Sequence, residues 1–314
     1  MATVQDLKRR IKSIRNTRKI TKAMELVASA RLRRAQARIE AMRPYADRMM
    51  ELMIGTARAS SSMFSRPGAD GSAGGASSRE RGLPLLQRRD DVQTVAILPL
   101  TGDRGLAGAF NAQVLRHAFA LGRQLEADGK RVRWLVSGRR GASTLRFRGL
   151  EVLQAWTGFS DRPAYADAQA LAHKAAELYV GEEVDRVVVV YNHFVSPLVQ
   201  QVVEQEVLPI PEQVLEAGED EEQRQALLGD FIYEPEPEQI LERLLPVYVE
   251  TELYRALLES AASEQGARMT AMRNASKNAG ELIDALTLAM NRARQAEITQ
   301  EILEVVAGAD ALTG

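Results

Sequence analysis

The sequence contains no cysteine, which excludes disulfide bridges, thiolate metal ligands and cysteine nucleophiles. It has only three histidines, and none stands near a carboxylate or a second histidine at the spacing of a metal site. It also lacks a G-x-S-x-G nucleophile elbow and a Gly-Lys-Ser/Thr phosphate loop. No catalytic residue, metal ion or other cofactor is therefore expected.

Long apolar runs are missing as well. No stretch of eighteen apolar residues occurs, and the first residues do not form the apolar core of a signal peptide. Direct membrane insertion and export through a signal peptide are therefore not expected.

Proline is absent after Pro246, and the remaining segment is rich in Ala, Leu, Met, Glu and Arg. Residues 247–312 therefore predict one long helix, with further helix signals from about residue 238. At 1.5 Å per residue this helix would span about 95 Å, too long for the core of a compact domain. Its apolar stripe needs a partner.

The other end of the chain offers that partner, because residues 4–58 also predict a helix. Its apolar residues follow the alternating three- and four-residue steps of a coiled coil: Val4, Leu7, Ile11, Ile14, then Ala28, Leu32, Ala35, Ile39 and Met42. Between these two groups the same positions are polar, at Arg18, Thr21 and Glu25, while Ile20, Met24 and Val27 form an apolar stripe on a neighbouring face. We expect this stripe to meet a different partner.

Charge is spread unevenly. The net charge is −1, yet residues 1–43 hold thirteen Lys/Arg and only three Asp/Glu. An acidic partner is expected for this segment. A basic coiled coil that binds nucleic acid through its phosphates is the alternative, although residues 1–44 contain no aromatic side chain.

The middle of the chain predicts a small α/β domain of Rossmann-like character, inserted between the two helices, so the fold class is α+β. We expect a helix over 1–59, a flexible Ser/Gly/Ala-rich connector over 60–90, the α/β domain over 91–235 and the second helix over 236–314. Within the domain, strands are predicted at 92–98, 132–136, 184–190 and 200–207, and helices at 111–127, 139–147 and 163–180. The order of strands and helices indicates a parallel sheet.

A glycine-rich loop, 101–108, follows the first predicted strand, where nucleotide-binding folds hold phosphate. Its glycines, at 102, 105 and 108, do not have the dinucleotide-binding spacing. We therefore favour a tight turn in which Asp103 and Arg104 pair or cap the following helix. A nucleotide-dependent enzyme stays open as a third hypothesis, and it would require cofactor binding by residues 90–235.

An ordered set of motifs resembles the gamma subunit family of the rotary ATP synthase over nearly the whole chain. The motifs are 11–17 with 20–24 and 27–28, then 103–106 with Gly108 and Asn111, then 233–235, 256–260, 262–264, 267–269 and 271–272, and finally 294–301 with Glu304 and 308–309. Three features depart from the family pattern. Thr101-Gly102 stands where the family often has a Ser immediately before Asp103, and Ala107 and Ala109 replace residues that are frequently Cys and Gly. The connector is also longer than usual. The absence of cysteine also removes the dithiol switch of chloroplast members.

The resemblance implies a non-catalytic central shaft that couples transmembrane proton flow and ring rotation to ATP synthesis or hydrolysis at beta-subunit catalytic sites. Expected partners are the alpha and beta subunits of the catalytic hexamer, the epsilon subunit and the membrane rotor c-ring, with one copy of the chain per complex and no nucleic acid. The implied location is the cytoplasmic face of the cell membrane, through the complex.

The resemblance also implies three groups of contact residues. The beta-subunit contacts are Lys19, Lys22, Met24, Arg31, Arg33, Arg34, Arg294, Gln295 and Thr299. The sleeve-bearing residues are Ile298, Ile302, Leu303, Val305, Val306 and Leu312. The foot that meets the ring and the epsilon subunit is Tyr233 and Glu234.

Overall fold

The computed structural model describes residues 3–64, 83–89, 91–211 and 236–313. Along the sequence, one long helix precedes and another follows the strands of a mixed five-stranded sheet, which is the predicted α+β class. The helices are α1 (Val4–Phe64), α2 (Phe110–Ala127), α3 (Arg139–Phe147), α4 (Tyr165–Val180) and α5 (Pro237–Thr313). The strands are β1 (Thr94–Pro99), β2 (Arg131–Ser137), β3 (Val152–Trp156), β4 (Arg186–Phe194) and β5 (Gln200–Leu208), and a 3-10 turn covers Pro84–Leu86.

Helix α1 extends five residues beyond its predicted end at 59, whereas α5 falls within the range 236–314 predicted for it. Helix α1 has 61 residues and begins after Thr3, whose hydroxyl oxygen accepts a hydrogen bond from the Asp6 amide at 3.2 Å. Helix α5 has 77 residues and contains Pro246, which precedes the proline-free segment 247–312 but lies within the range 236–314 expected for the second helix. One missing backbone donor does not end the helix, because tertiary packing on both sides of Pro246, at Leu245 and Tyr248, holds it.

The sheet has the strand order β3-β2-β1-β4-β5. Strands β1 to β4 are parallel, as the βαβ order predicted, whereas β5 runs antiparallel to β4. Two further differences concern β3, which the sequence analysis did not predict, and the 3-10 turn, which falls in the expected connector. The rest of that connector, 65–82 and 90, lies outside the described residues.

Each face of the sheet has its own core. Strand β1 is buried throughout and alternates: Val95 and Ile97 pack with α2 and α3, whereas Ala96 and Leu98 pack on the opposite side. That second core includes α4 together with the last turns of α1, around Met53, and the first turns of α5.

The chain divides into two compact units, Met1–Ala30 with Arg268–Gly314, and Arg31–Ala267. The first is a pair of helical segments, and the second contains the sheet and its covering helices. The four-part division expected from the sequence stays a prediction.

Candidate functional site

In the first unit, the two helical segments run antiparallel and share a buried seam. Glu25 of α1 meets Arg273 of α5 at 3.1 Å, whereas Arg18 lies against Gly280. The contact seven residues earlier on α1 is therefore seven residues later on α5, as antiparallel helices require. Apolar members of the seam are buried, as the predicted spacing of α1 requires: Leu7, Ile11 and Ala28, facing Met272, Ala279 and Ile283.

A polar layer interrupts this seam at Glu25, whose side chain is only 7% exposed. Its carboxylate accepts hydrogen bonds from Lys22 Nζ at 3.0 Å and Arg273 Nε at 3.1 Å. The hydrogen bond from Lys22 is the largest cause that lowers the pKa of Glu25, and the bond from Arg273 adds to it against the opposing effect of burial. The buried acid is therefore held as a carboxylate by two cations from the two helical segments.

A basic groove lies between the same segments, with a volume of about 1470 Å³. Its lining contains seven Lys or Arg and no Asp or Glu, together with apolar side chains such as Leu26 and Met290. The seven are Lys8, Lys12, Arg15, Arg18, Lys19, Lys22 and Arg294. Such a lining suits an acidic partner that also offers apolar side chains.

An exposed apolar stripe accompanies the groove on α1. Ile20 is 60% exposed, Leu26 62% and Val27 53%, while Met24 is half-buried. Ile20, Met24 and Val27 follow helical spacing and lie on a face that the seam leaves open, whereas Leu26 lines the groove. The structure thus presents the stripe that the sequence assigned to a second partner.

The described side chains in the last part of α5, residues 295–307, are exposed within its unit. Val4 and Arg294 line the same groove, so the first turn of α1 is level with Arg294, and α5 continues for about 19 residues beyond it. Ile298, Ile302, Leu303, Val305 and Val306 are all between 43% and 72% exposed. The side chain of Leu312 lies outside the described residues.

The predicted beta-subunit contacts divide between the units. Lys19, Lys22 and Arg294 line the groove, and Gln295 and Thr299 follow Arg294 as exposed residues on α5. Met24 also belongs to the first unit, whereas Arg31, Arg33 and Arg34 belong to the second, where Arg31 pairs with Asp161 at 2.8 Å. The predicted foot, Tyr233 and Glu234, lies outside the described residues.

The sequence analysis missed part of the groove. Lys8, Lys12, Arg15 and Arg18 line it but were not among the predicted contacts. The charge count of residues 1–43 was the available signal. A charge count does not show how α1 pairs with α5, and this pairing decides which cations share one groove.

The glycine loop is a structural turn. Asp103 accepts hydrogen bonds from the amides of Arg139 at 3.0 Å, Gly158 at 2.8 Å and Ser160 at 3.1 Å. The predicted cap on the following helix, α2, is therefore wrong, because the carboxylate reaches the first turn of α3 instead. Arg104 pairs with Asp161 at 3.4 Å.

Two of the histidines have carboxylate partners that are distant in sequence. His117 lies 2.6 Å from Glu204 and His193 lies 2.5 Å from Glu259. Within the described part of the chain, no group of three or more His, Asp or Glu residues could hold a metal ion. Nor does any helix in 3–64, 83–89, 91–211 or 236–313 combine the length and apolar character needed to cross a membrane.

Comparisons with known proteins agree with this arrangement. A family model described as ATP synthase matches residues 3–312. The ATP synthase gamma chain of Rubrobacter xylanophilus is 45% identical over 312 residues, covering 99% of both chains. That of Nostoc punctiforme is 41% identical over 332 aligned positions, covering 100% of both.

Solved structures with a similar fold come from mitochondrial ATP synthases. A chain from the central stalk and c-ring structure of Tetrahymena thermophila is 25% identical, with a TM-score of 0.56, covering 82% of this chain and 99% of that one. A chain of the Euglena gracilis enzyme, in a structure of its OSCP, F1 and c-ring, is 16% identical, with a TM-score of 0.65, covering 98% and 94%. The second likeness concerns the fold alone.

Proposed function

Because the chain belongs to the ATP synthase gamma chain family, we propose that it is the central rotor shaft of a rotary ATP synthase. It couples transmembrane proton flow and ring rotation to ATP synthesis or hydrolysis at catalytic sites on the beta subunits. The chain itself is non-catalytic: shaft angle biases each site, and ligand binding at a site biases the shaft.

The observation that carries this proposal is the uncovered end of α5. The part of α5 beyond Arg294 has about 19 residues and is about 28 Å long, and its described apolar side chains are exposed within their unit. A sleeve formed by the alpha and beta subunits would cover Ile298, Ile302, Leu303, Val305, Val306 and Leu312. Apolar contacts carry little directionality, so such a bearing lets the shaft turn without a strongly preferred angle.

The basic groove supplies the contacts that transmit force. An acidic surface of a beta subunit would meet Lys19, Lys22, Arg294 and their neighbours Met24, Gln295 and Thr299, and further along α1 it would meet Arg31, Arg33 and Arg34. Charge complementarity of this kind sets partner choice and association rate more than affinity. The three beta subunits would contact these residues one after another as the shaft turns.

The opposite end of the assembly is assigned to other partners. Tyr233 and Glu234 form the foot that contacts the epsilon subunit and the c-ring. The chain would thereby be held peripherally, at the cytoplasmic face of the cell membrane, in one copy per complex and without contact to nucleic acid.

Reconstitution tests the proposal directly. Alpha and beta subunits are combined with and without the full chain, and ATP hydrolysis is measured at matched concentrations. We expect sustained hydrolysis to require the chain, because ordered turnover needs a shaft that biases the sites in sequence. Full hydrolysis in its absence would refute the assignment.

Truncation from Glu297 onward tests the bearing separately. Residues 297–307, whose side chains the structure describes, are all exposed. The remaining chain should therefore keep its fold and enter the complex. We expect a complex that assembles but has lower hydrolysis and weaker coupling. Complete failure to assemble would contradict the division between bearing and contact surface.

A further inference from the structure

A second cleft lies in the larger unit, and two of the arginines that line it, Arg31 and Arg34, are also among the proposed beta-subunit contacts. One wall is a stripe of α1 at helical spacing, from Arg31 through Arg34 and Arg38 to Tyr45. The facing wall is a matching stripe of α5 that includes Tyr254. A third wall comes from residues 161–165, at the start of α4. Three elements of one compact unit therefore enclose the cleft.

The cleft has two halves of different chemistry that meet at Arg38. The first half, about 330 Å³, is lined by Arg31, Arg34, Arg38 and Arg162 and contains one acid, Asp161. The second half, about 480 Å³, is lined by tyrosines on three different helices: Tyr45, Tyr165 and Tyr254. Arg38 lines both halves, so they form one continuous site with a basic end and an aromatic end.

The basic half keeps a positive charge after internal pairing. Asp161 is already engaged, by Arg31 at 2.8 Å, by Arg104 at 3.4 Å and by Gln265 Nε2 at 3.0 Å. Within the described residues, Arg34, Arg38 and Arg162 form no ion pair. Three guanidinium groups are thus available to an anion of high charge density, and phosphate is an anion whose geometry matches the paired N–H donors of arginine.

The aromatic half is built to hold a flat group. The rings of Tyr165 and Tyr254 pack edge to face, with centroids 5.6 Å apart, which fixes both. The Tyr165 hydroxyl donates to Glu250 Oε2 at 2.7 Å, and burial, with help from Glu250, raises its pKa, so it remains a neutral donor. Tyr45 is 50% exposed, and its ring is open to a ligand.

We propose that this cleft binds a nucleotide, with the base among the tyrosines and the phosphates at Arg34, Arg38 and Arg162. Each half has a volume within the range of small-molecule sites. Arg31 and Tyr45 are fourteen residues apart on α1, which is about 21 Å and long enough for a base, a sugar and a phosphate chain in line. Stacking of bases on aromatic side chains and contact of phosphates with basic side chains are the interactions that proteins combine to hold single-stranded nucleic acid, and the same pair suits one nucleotide.

Calorimetric titration of the full chain, produced without any other subunit, tests the proposal. The probes are ATP, adenosine and inorganic tripolyphosphate. We expect ATP to bind saturably with one-to-one stoichiometry, and each fragment to bind more weakly than ATP. A lack of measurable ATP binding would overturn the proposal and would leave the cleft to an acidic protein segment.

Two variants assign the halves. The double change Arg34→Gln with Arg38→Gln should weaken both ATP and tripolyphosphate at least about tenfold. Tyr45→Leu should weaken ATP at least about fivefold and leave tripolyphosphate unchanged. Arg33→Gln is the matched control: Arg33 is exposed on α1 but does not line either half of the cleft, so ATP affinity should stay at the wild-type value.

All substituted side chains are at least partly exposed, and circular dichroism with thermal unfolding verifies that each variant keeps its fold. Equal ATP affinity in all three variants would place binding elsewhere and refute the site. Tripolyphosphate binding as tight as ATP binding would refute the nucleotide assignment, because the tyrosines would then contribute nothing.

Discussion

Single residues in this chain act through partners that are distant in sequence. Glu25 is an isolated acid in a basic helix, yet its two cationic partners, Lys22 and Arg273, hold it as a carboxylate at a buried position. Asp103 closes a turn by accepting amides that lie 36 and more residues further along the chain. In both cases a carboxylate organises the segments around it.

The pKa of Glu25 predicts how stability depends on pH. Because this pKa is lowered in the folded chain, the Glu25 carboxylate stabilises the helix pair fully at pH values above 4.5, the ordinary pKa of the group. This stabilisation is lost as the pH falls through the lowered pKa of the folded chain. Glu25→Gln should therefore reduce the free energy of unfolding at pH 7 by about 1 to 2 kcal/mol. The expected loss is no larger because both partner side chains, Lys22 and Arg273, are more than half exposed and solvent screens them.

Urea unfolding followed by circular dichroism at pH 7 and at pH 3 measures this effect. The difference between wild type and variant should shrink at pH 3, which lies below the ordinary pKa of 4.5, because there the carboxyl of the unfolded chain is protonated and the stabilisation is being lost. An equal difference at both pH values would show that the carboxylate charge is not the cause.

Gly138 is a residue whose backbone conformation and surroundings both exclude a side chain. Its φ is 96°, and an added Cβ would lie 2.0 Å from the Thr101 carbonyl oxygen. Gly138→Ala should cost at least about 3 kcal/mol in the free energy of unfolding. Gly129→Ala is the control, because φ is 79° there but an added Cβ meets nothing within 4 Å, so only about 1 kcal/mol is expected. Similar losses in both variants by urea unfolding would contradict the role of the close contact.

At the scale of elements, α1 has two apolar stripes with different uses. One stripe is buried in the helix pair at Leu7 and Ile11, and the other is exposed at Ile20 and Val27. The first contributes to the stability of the chain, whereas the second is available to a partner.

Two isoleucines separate these uses. Ile11 is 4% exposed, so Ile11→Ala should lower the free energy of unfolding by about 2 to 4 kcal/mol. Ile20 is 60% exposed, so Ile20→Ala should change it by less than about 0.5 kcal/mol while weakening association with alpha and beta subunits. Chemical unfolding and a binding assay on the same two variants distinguish the stripes. A destabilised Ile20 variant would mean that its stripe is buried within the chain.

At the scale of the whole molecule, charge is segregated: residues 1–43 carry a net +10 in a chain of net −1. Most of the cations that line the basic groove come from this segment. A field of one sign over an extended groove steers an acidic partner during approach, and salt screens it.

Removing part of this field should slow assembly. Changing Lys8, Lys12, Arg15 and Lys19 together to Gln should reduce the association rate with alpha and beta subunits about tenfold at low salt, and the difference should vanish at high salt. The control changes Arg116, Arg123, Arg131 and Arg146, four exposed arginines outside the groove, to Gln. Stopped-flow mixing over a salt series measures both rates, and an equal slowing by the control would indicate net charge rather than the groove.

Patterns that depend on neighbours along the chain could be predicted from the sequence. The helical stripe of α1, the long α5, helix α3 at 139–147 and the β-branched strand β4 follow from local period and propensity, because those act over a few residues. Strand β3 was missed because it is short and only half-buried, so its apolar signal is weak. The direction of β5 was missed because strand direction depends on the connection in space rather than on composition.

The sequence by itself therefore determined the α+β class, the paired terminal helices, the concentration of positive charge and the family. Only the tertiary structure decided which residues share a site: that Asp103 reaches α3, that seven cations line one groove with no acid, and that arginines and tyrosines of α1, α4 and α5 enclose one cleft. The physical reason is that propensity and periodicity are local, whereas hydrogen bonds, ion pairs and cavities depend on three-dimensional distances between residues up to hundreds of positions apart.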